Sequence, residues 1–167
     1  MDDKTLNSIV DTVTKHVLEH RQNAETEYTK KYITLSVAKK LCEKVEEEAA
    51  RMGLNVVVAV ANPGARPVVV ECMDDSYIAS YDIALNKAYT SAAVKMPTTT
   101  LKNLSQPHQS LYGIQFTNQG QIVVFGGGVP LIKDGTLVGA LGVSGGSEEQ
   151  DVHLAEYGMK VFEEELA

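Results

Sequence analysis

The sequence predicts an α+β domain, with an antiparallel sheet of about five strands flanked by helices. Three observations lead to that fold class. The periodic segments run helix, hairpin, helix, three strands, helix, which places helices around a sheet. Asp134-Gly135, set between two apolar runs, is the strongest short hairpin signal in the chain. Val56 to Ala61 and Leu137 to Val143 are apolar at successive positions rather than alternating. Both faces of their sheet must therefore be covered, by helices, by another subunit, or by both.

The elements follow in chain order. Leu6, Ile9, Val10, Val13, Val17 and Leu18 form one apolar stripe, predicting an amphipathic helix over residues 1–21. Asp2 and Asp3 near its start and His20 and Arg21 near its end suit the helix dipole. Residues 22–31 are polar without an apolar period and read as a linker, which leaves 32–167 as the folded domain. Its first helix starts at Thr34, a suitable N-cap. The apolar face is Leu35, Ala38, Leu41, Cys42, Val45, Ala49 and Met52, and Gly53 is the stop.

Strands over Asn55 to Ala61 and Pro67 to Met73 flank the turn-rich run Asn62-Pro63-Gly64-Ala65-Arg66, which reads as a hairpin. Asp74, Asp75 and Ser76 are candidate caps for a helix over Tyr77 to Lys95, with a break near Tyr81-Asp82. Met96-Pro97 ends it. Thr98 to Gly120 is the least regular stretch, with a short helical turn over Thr98 to Leu104. Strands over Gln121 to Phe125, Val129 to Lys133 and Thr136 to Ser144 follow, the first two separated by Gly126-Gly127-Gly128. Gly145-Gly146 leads to a last helix, with Ser147 and Gln150 spaced for a capping box and an end near Leu166. Glu163-Glu164-Glu165 opposes the dipole there, so fraying is expected.

Composition narrows the function classes. Net charge is 15 − 22 = −7 without a basic stripe, a poor match for nucleic acid or an anionic membrane surface. No apolar run reaches a membrane span, and the N-terminus has acids where a signal peptide has bases, so a cytoplasmic protein is expected. Cys42 and Cys72 form no CxxC pair and read as two buried thiols in a reducing compartment. The histidines of the domain have no metal-ligand spacing.

The glycine-rich second half, Gly126 to Asp151, is the candidate ligand-handling region. Gly126, Gly127 and Gly128 permit close backbone approach, and their N–H groups could face an anion. A strand bending at a glycine bulge explains them equally. No Gly-Lys-Ser/Thr or helix follows, which excludes a P-loop or Rossmann turn. Ser144, Gly145 and Gly146 lead into a helix start, where a carboxylate could dock, although Glu148 and Glu149 already place negative charge there. His153 lies in the first turns of that helix and is the best placed histidine. Lys87, in the middle of its helix, either contacts an acid or is solvated. Ser144 lacks the preceding glycine of a nucleophile elbow, and no catalytic residue is assigned.

These segments together resemble a known family. VVVAVANPGARPVV, ALNKAYTSA, FGGGVPL, DGTLVGALGVSGG and EEQDVHLAEYG occur in the order of the GlcG/HbpS family, from about Thr34 to Leu166. That family also supplies the C-terminal domain of PduO-type proteins, and the ending SGGSEEQD is closest to PduO-type and GlcG members. The resemblance implies a profilin-like fold, a homo-oligomer, and binding of haem or, less directly, a corrinoid. The adenosyltransferase activity of the PduO name belongs to a separate N-terminal domain and is not carried over. Some relatives place a histidine and a cysteine just before the first domain helix, where this chain has Lys30-Lys31-Tyr32. The ligand candidates that remain are His153, Thr98 and Met96. Residues 1–21 resemble the encapsulation peptides that direct cargo to bacterial microcompartment shells. The resulting expectation is a tetrapyrrole-binding accessory protein of a microcompartment pathway. The alternatives are an enzyme or sensor for a small carboxylate metabolite, or a purely structural oligomer.

Overall fold

The computed structural model describes residues 12–15 and 32–166. Contacts divide the chain into two units, Met1–Tyr32 and Ile33–Ala167. In the first, residues 12–15 are helical. The rest of the expected N-terminal helix and the whole 22–31 linker lie outside the described residues.

The second unit carries the fold. Its elements are α1 (Leu35–Arg51), β1 (Val57–Ala61), β2 (Pro67–Cys72), α2 (Ser80–Val94), α3 (Thr98–Leu104), β3 (Gly128–Lys133), β4 (Thr136–Ser144) and α4 (Glu148–Val161). Two 3-10 turns, Ile114–Phe116 and Asn118–Gly120, lie between α3 and β3, and a π-helical turn, Phe162–Leu166, follows α4. The sheet has the order β2-β1-β4-β3, and every pairing is antiparallel.

Local chemistry sets the boundaries. Thr34 Oγ1 accepts from the Val37 amide, giving α1 its N-cap. Ser147 and Gln150 form a complete capping box at α4. Asp134 and Gly135 have φ of 49° and 72°, the doubly left-handed pair that matches strand twist in a two-residue hairpin.

The sheet has four strands rather than five. Gln121 to Phe125 forms no strand and joins no ladder, and Gln121 itself has helical backbone as the C-cap of the Asn118–Gly120 turn. Its polar groups are taken by α2 instead. Thr90 Oγ1 donates to the Gln121 carbonyl at 3.3 Å and accepts from the Val123 amide at 3.0 Å. Three further expectations are corrected. α2 begins at Ser80 without a side-chain cap and runs unbroken. Cys72 is exposed because it ends the edge strand β2, whereas Cys42 is buried. Leu35, in the first turn of α1, is exposed.

Helices of the same chain cover both faces of the sheet, so β1 is buried at every position. α1 and α4 pack on one face over Leu41, Val45, Val58, Val60, Leu141, Val143 and Leu154. α2 packs on the other, where Ala84 and Ala88 meet Val57, Ala59 and Ala61. This second layer is thin because small residues face one another. A Cβ at Gly142 of β4 would stand 2.5 Å from the Ala88 amide nitrogen and closer still to the Ala84 carbonyl. Gly128, paired with Gly142 across the β3–β4 ladder, would meet the Lys87 carbonyl at 2.7 Å. The helix backbone is therefore seated directly on the strand backbone.

Gly142→Ala must push α2 off the sheet, because the obstacle is backbone rather than a movable side chain. The expected cost is roughly 3 kcal/mol, read in a thermal melt as a fall in Tm of about 10 °C. A fall below about 2 °C would show that α2 does not need this close seating.

Candidate functional site

The close seating of α2 brings a lysine into the interior. Lys87 lies on the buried side of the helix with Ala84, Ala88 and Ser91 and is 0% exposed. Its Nζ donates to Asp151 Oδ2 at 2.6 Å and to the Val143 carbonyl at 2.8 Å. It also stands 5.2 Å from the centroid of the Phe125 ring, within cation–π range. Burial pushes the Lys87 ammonium below its usual range, with Asp151 and then Glu148 pulling the other way. Gly127, with φ of 106°, passes directly over it: a Cβ there would sit 2.6 Å from Nζ.

Asp151 completes a larger network. Its Oδ1 accepts from the amides of Gly145 and Gly146 at 3.1 and 2.9 Å. One carboxylate thus binds the lysine of α2 and closes the loop that starts α4. Glu148 does the same for the other glycine loop. Its Oε1 accepts from the Gly126 amide at 2.8 Å, and its Oε2 pairs with Lys102 of α3 at 2.6 Å. The Lys102 bond first, and the Gly126 amide second, hold the Glu148 carboxyl below its usual range.

Four of the five glycine amides expected to face an external anion are therefore occupied from within. Gly126, Gly145 and Gly146 bind the chain's own carboxylates, and the Gly128 amide donates to Thr98 Oγ1 at 3.0 Å. The two glycine runs serve close packing and internal capping.

A cleft of about 290 Å³ opens beside this network. Its polar floor is Ser80, Ser144, Glu148 and Asp151, and Ser144 Oγ donates to Ser80 Oγ at 3.3 Å. Tyr77, Ile83 and Phe125 provide apolar wall, with Tyr77 72% and Phe125 39% exposed. Beside Tyr77, Ile78 is 96% exposed. The Tyr77 phenol makes no hydrogen bond among the described residues.

Most of the residues expected from sequence come together here. Ser144, Gly145 and Gly146 line the cleft, Gly127 and Gly128 pack against Lys87, Thr98 holds the Gly128 amide, and Gly126 packs against Thr99, Glu148 and Val152. His153 does not join them. It is 57% exposed and faces Glu48 of α1 at 3.7 Å, because the turn of α4 that aims Asp151 inward carries position 153 toward α1. Met96 is half-buried beyond the C-terminus of α2 and is not part of the cleft lining. Tyr77, Ser80, Ile83, Phe125, Glu148 and Asp151 were not among the site residues expected from sequence. From sequence Lys87 either contacts an acid or is solvated; the structure shows the first, with Asp151 as the acid. Among the described residues no group of three or more His, Cys, Asp or Glu could hold a metal ion. No helix among them is long and apolar enough to cross a membrane.

The family model described as "Haem degrading protein HbpS-like" matches residues 33–160. A 15.0 kDa protein from the dhaT-dhaS intergenic region of Citrobacter freundii is 46% identical over 132 residues, covering 79% of this chain and 93% of that protein. Corrinoid adenosyltransferase PduO of Salmonella typhimurium is 40% identical over 110 residues, covering 66% of this chain and only 33% of that protein. The crystal structure of a PduOC:heme complex superposes with a TM-score of 0.75 at 35% identity, covering 77% of this chain and 94% of that one.

Lys87→Ala leaves a buried carboxylate without its cation, and Asp151→Ala leaves a buried ammonium. Each is expected to cost about 3–5 kcal/mol in urea unfolding. The double variant is expected to cost clearly less than the sum, because the second change removes a charge already unpaired. Strict additivity would show that the two side chains do not act as a pair.

Proposed function

The chain belongs to the HbpS-like family, and on that premise we propose that the 33–160 region binds a tetrapyrrole, haem in the first place and a corrinoid in the second. The observation that carries this is the haem complex of a relative 35% identical and alike in fold over 77% of this chain. The cleft chemistry supports it. A flat macrocycle needs apolar, preferably aromatic, walls, which Tyr77, Phe125 and Ile83 provide. Tyr77 and Phe125 would hold the ring face, and the Tyr77 phenol, without a hydrogen bond among the described residues, is of a type that ligates haem iron. A bound haem would supply redox and oxygen chemistry. The chain's part is to bind and orient the ring and to keep Lys87 and Asp151 sealed behind it.

At about 290 Å³ the cleft is at the small end for a ligand pocket. Its rim continues onto exposed Tyr77 and Ile78, an apolar surface that a second copy of the chain would cover. The homo-oligomer is part of the same proposal. The small-carboxylate alternative loses much of its support, since the amides of Gly126, Gly145 and Gly146 hold Glu148 and Asp151.

Haemin titrated into the purified chain is expected to give a saturable Soret shift. Tyr77→Ala and Phe125→Ala should each weaken binding by about tenfold, equivalent to 1.4 kcal/mol. No shift at stoichiometric concentration with either haem or a corrinoid would end the reading.

The proposal extends to location. The apolar stripe of residues 1–21 and the polar run of 22–31 fit a peptide that addresses a cytoplasmic protein to a microcompartment. Residues 1–22 fused to a fluorescent protein should form puncta in cells that build such compartments. Diffuse fluorescence there would remove the assignment.

A further inference from the structure

A second, larger cleft of about 620 Å³ lies at the other end of α2. The β1–β2 turn, the last turns of α2 and the Asn118–Gly120 3-10 turn build it. It shares no lining residue with the first cleft. Its chemistry also differs. Arg66 and Lys95 bring two cations to its wall, in a chain of net charge −7. Neither has a carboxylate partner among the described residues, although Lys87 in the middle of α2 pairs with an acid. Asn118, Gln119, Gln121 and Tyr89 add amide and phenol groups.

The cleft is held in shape. Asn62 Oδ1 accepts from the amides of Gly64 and Arg66 at 2.9 and 3.2 Å, which fixes the turn that presents Arg66. The Tyr89 hydroxyl accepts from Asn118 Nδ2 at 3.0 Å and keeps its own proton to donate. Thr90 anchors Gln121 through its carbonyl. Ala65, Lys95, Asn118 and Gln119 all have positive φ, from 49° to 59°. These are four of the seven such non-glycine residues among those described, gathered around one cavity. Left-handed backbone at non-glycine residues costs free energy and persists where the surroundings enforce it. At Lys95, which ends α2, glycine would suit the backbone better, yet the position carries a cation.

We propose that this cleft binds a phosphorylated small molecule of about nucleotide size. Arg66 is suited to a phosphate in a forked, two-bond contact, with Lys95 as a second point charge. The amides and the Tyr89 hydroxyl read a polar edge beyond the phosphate. The volume lies within the range of small-molecule sites and exceeds what a phosphate alone would fill. The proposal is independent of tetrapyrrole binding, since it uses neither the first cleft nor the family match.

The test is calorimetric titration of the full chain with AMP, ADP and ribose 5-phosphate, with adenosine as the uncharged control. At least one phosphorylated probe is expected to bind saturably, more weakly as salt rises, and adenosine not to bind. Arg66→Gln combined with Lys95→Gly should weaken that binding at least tenfold without lowering Tm, because glycine relieves the backbone at position 95. Tyr77→Ala should leave it unchanged. No saturable binding by any of the three, equal binding of adenosine, or full binding by the Arg66/Lys95 variant would overturn the assignment. A haem titration of the same variant separates the two clefts, since its Soret response should match that of the unmodified chain.

Discussion

The buried contact between Lys87 and Asp151 is the constraint around which this domain is arranged. An ammonium with 0% exposure is tolerable only if its hydrogen bonds are met and its charge is opposed. Asp151 opposes it, and the Val143 carbonyl takes a second bond. Because the two residues sit on α2 and α4, the pair ties together the helices of opposite sheet faces at one end of β4. The other oxygen of Asp151 closes the Gly145-Gly146 loop, so the start of α4 is set by the same carboxylate.

The glycine-rich stretches follow from that arrangement. α2 can reach this depth only if the strands beneath it lack side chains, which is why Gly128 and Gly142 pair across the β3–β4 ladder at the point of closest approach. Gly127 must pass over the lysine head, and its φ of 106° serves that path. Glycine runs of this kind invite an anion-binding interpretation. Here the internal carboxylates Glu148 and Asp151 already take the role of the anion.

A cleft lies at each end of α2. At its start an aromatic-walled cleft faces the sealed ion pair. At its end a polar, cationic cleft is fixed by turn and phenol hydrogen bonds. The run from Gln121 to Phe125 joins them: Gln121 lines one cleft and Phe125 the other, and Thr90 holds the run against the helix. A run used this way has no need of a strand partner, which accounts for the fourth rather than fifth strand.

The elements with local causes were legible in the sequence. Apolar spacing marked α1, the Asp134-Gly135 pair marked the β3–β4 hairpin, and Ser147 with Gln150 marked the start of α4. The doubly apolar strands required cover on both faces, and the structure supplies it from the chain's own helices. The site was legible only as a region. Of the span Gly126 to Asp151, residues Ser144, Gly145, Gly146, Glu148 and Asp151 line the cleft, whereas His153 turns toward Glu48 and Met96 lies apart from it. Which acid answers Lys87 was decided by tertiary structure, because the partners are 64 residues apart and no local pattern links them. The same holds for the run at Gln121: its β-like composition was read locally, while a threonine hydroxyl 31 residues upstream took the carbonyl a strand would have paired. Periodicity and turn chemistry act between neighbours in sequence. Charge pairing and backbone seating act between neighbours in space, and only the folded chain determines who those neighbours are.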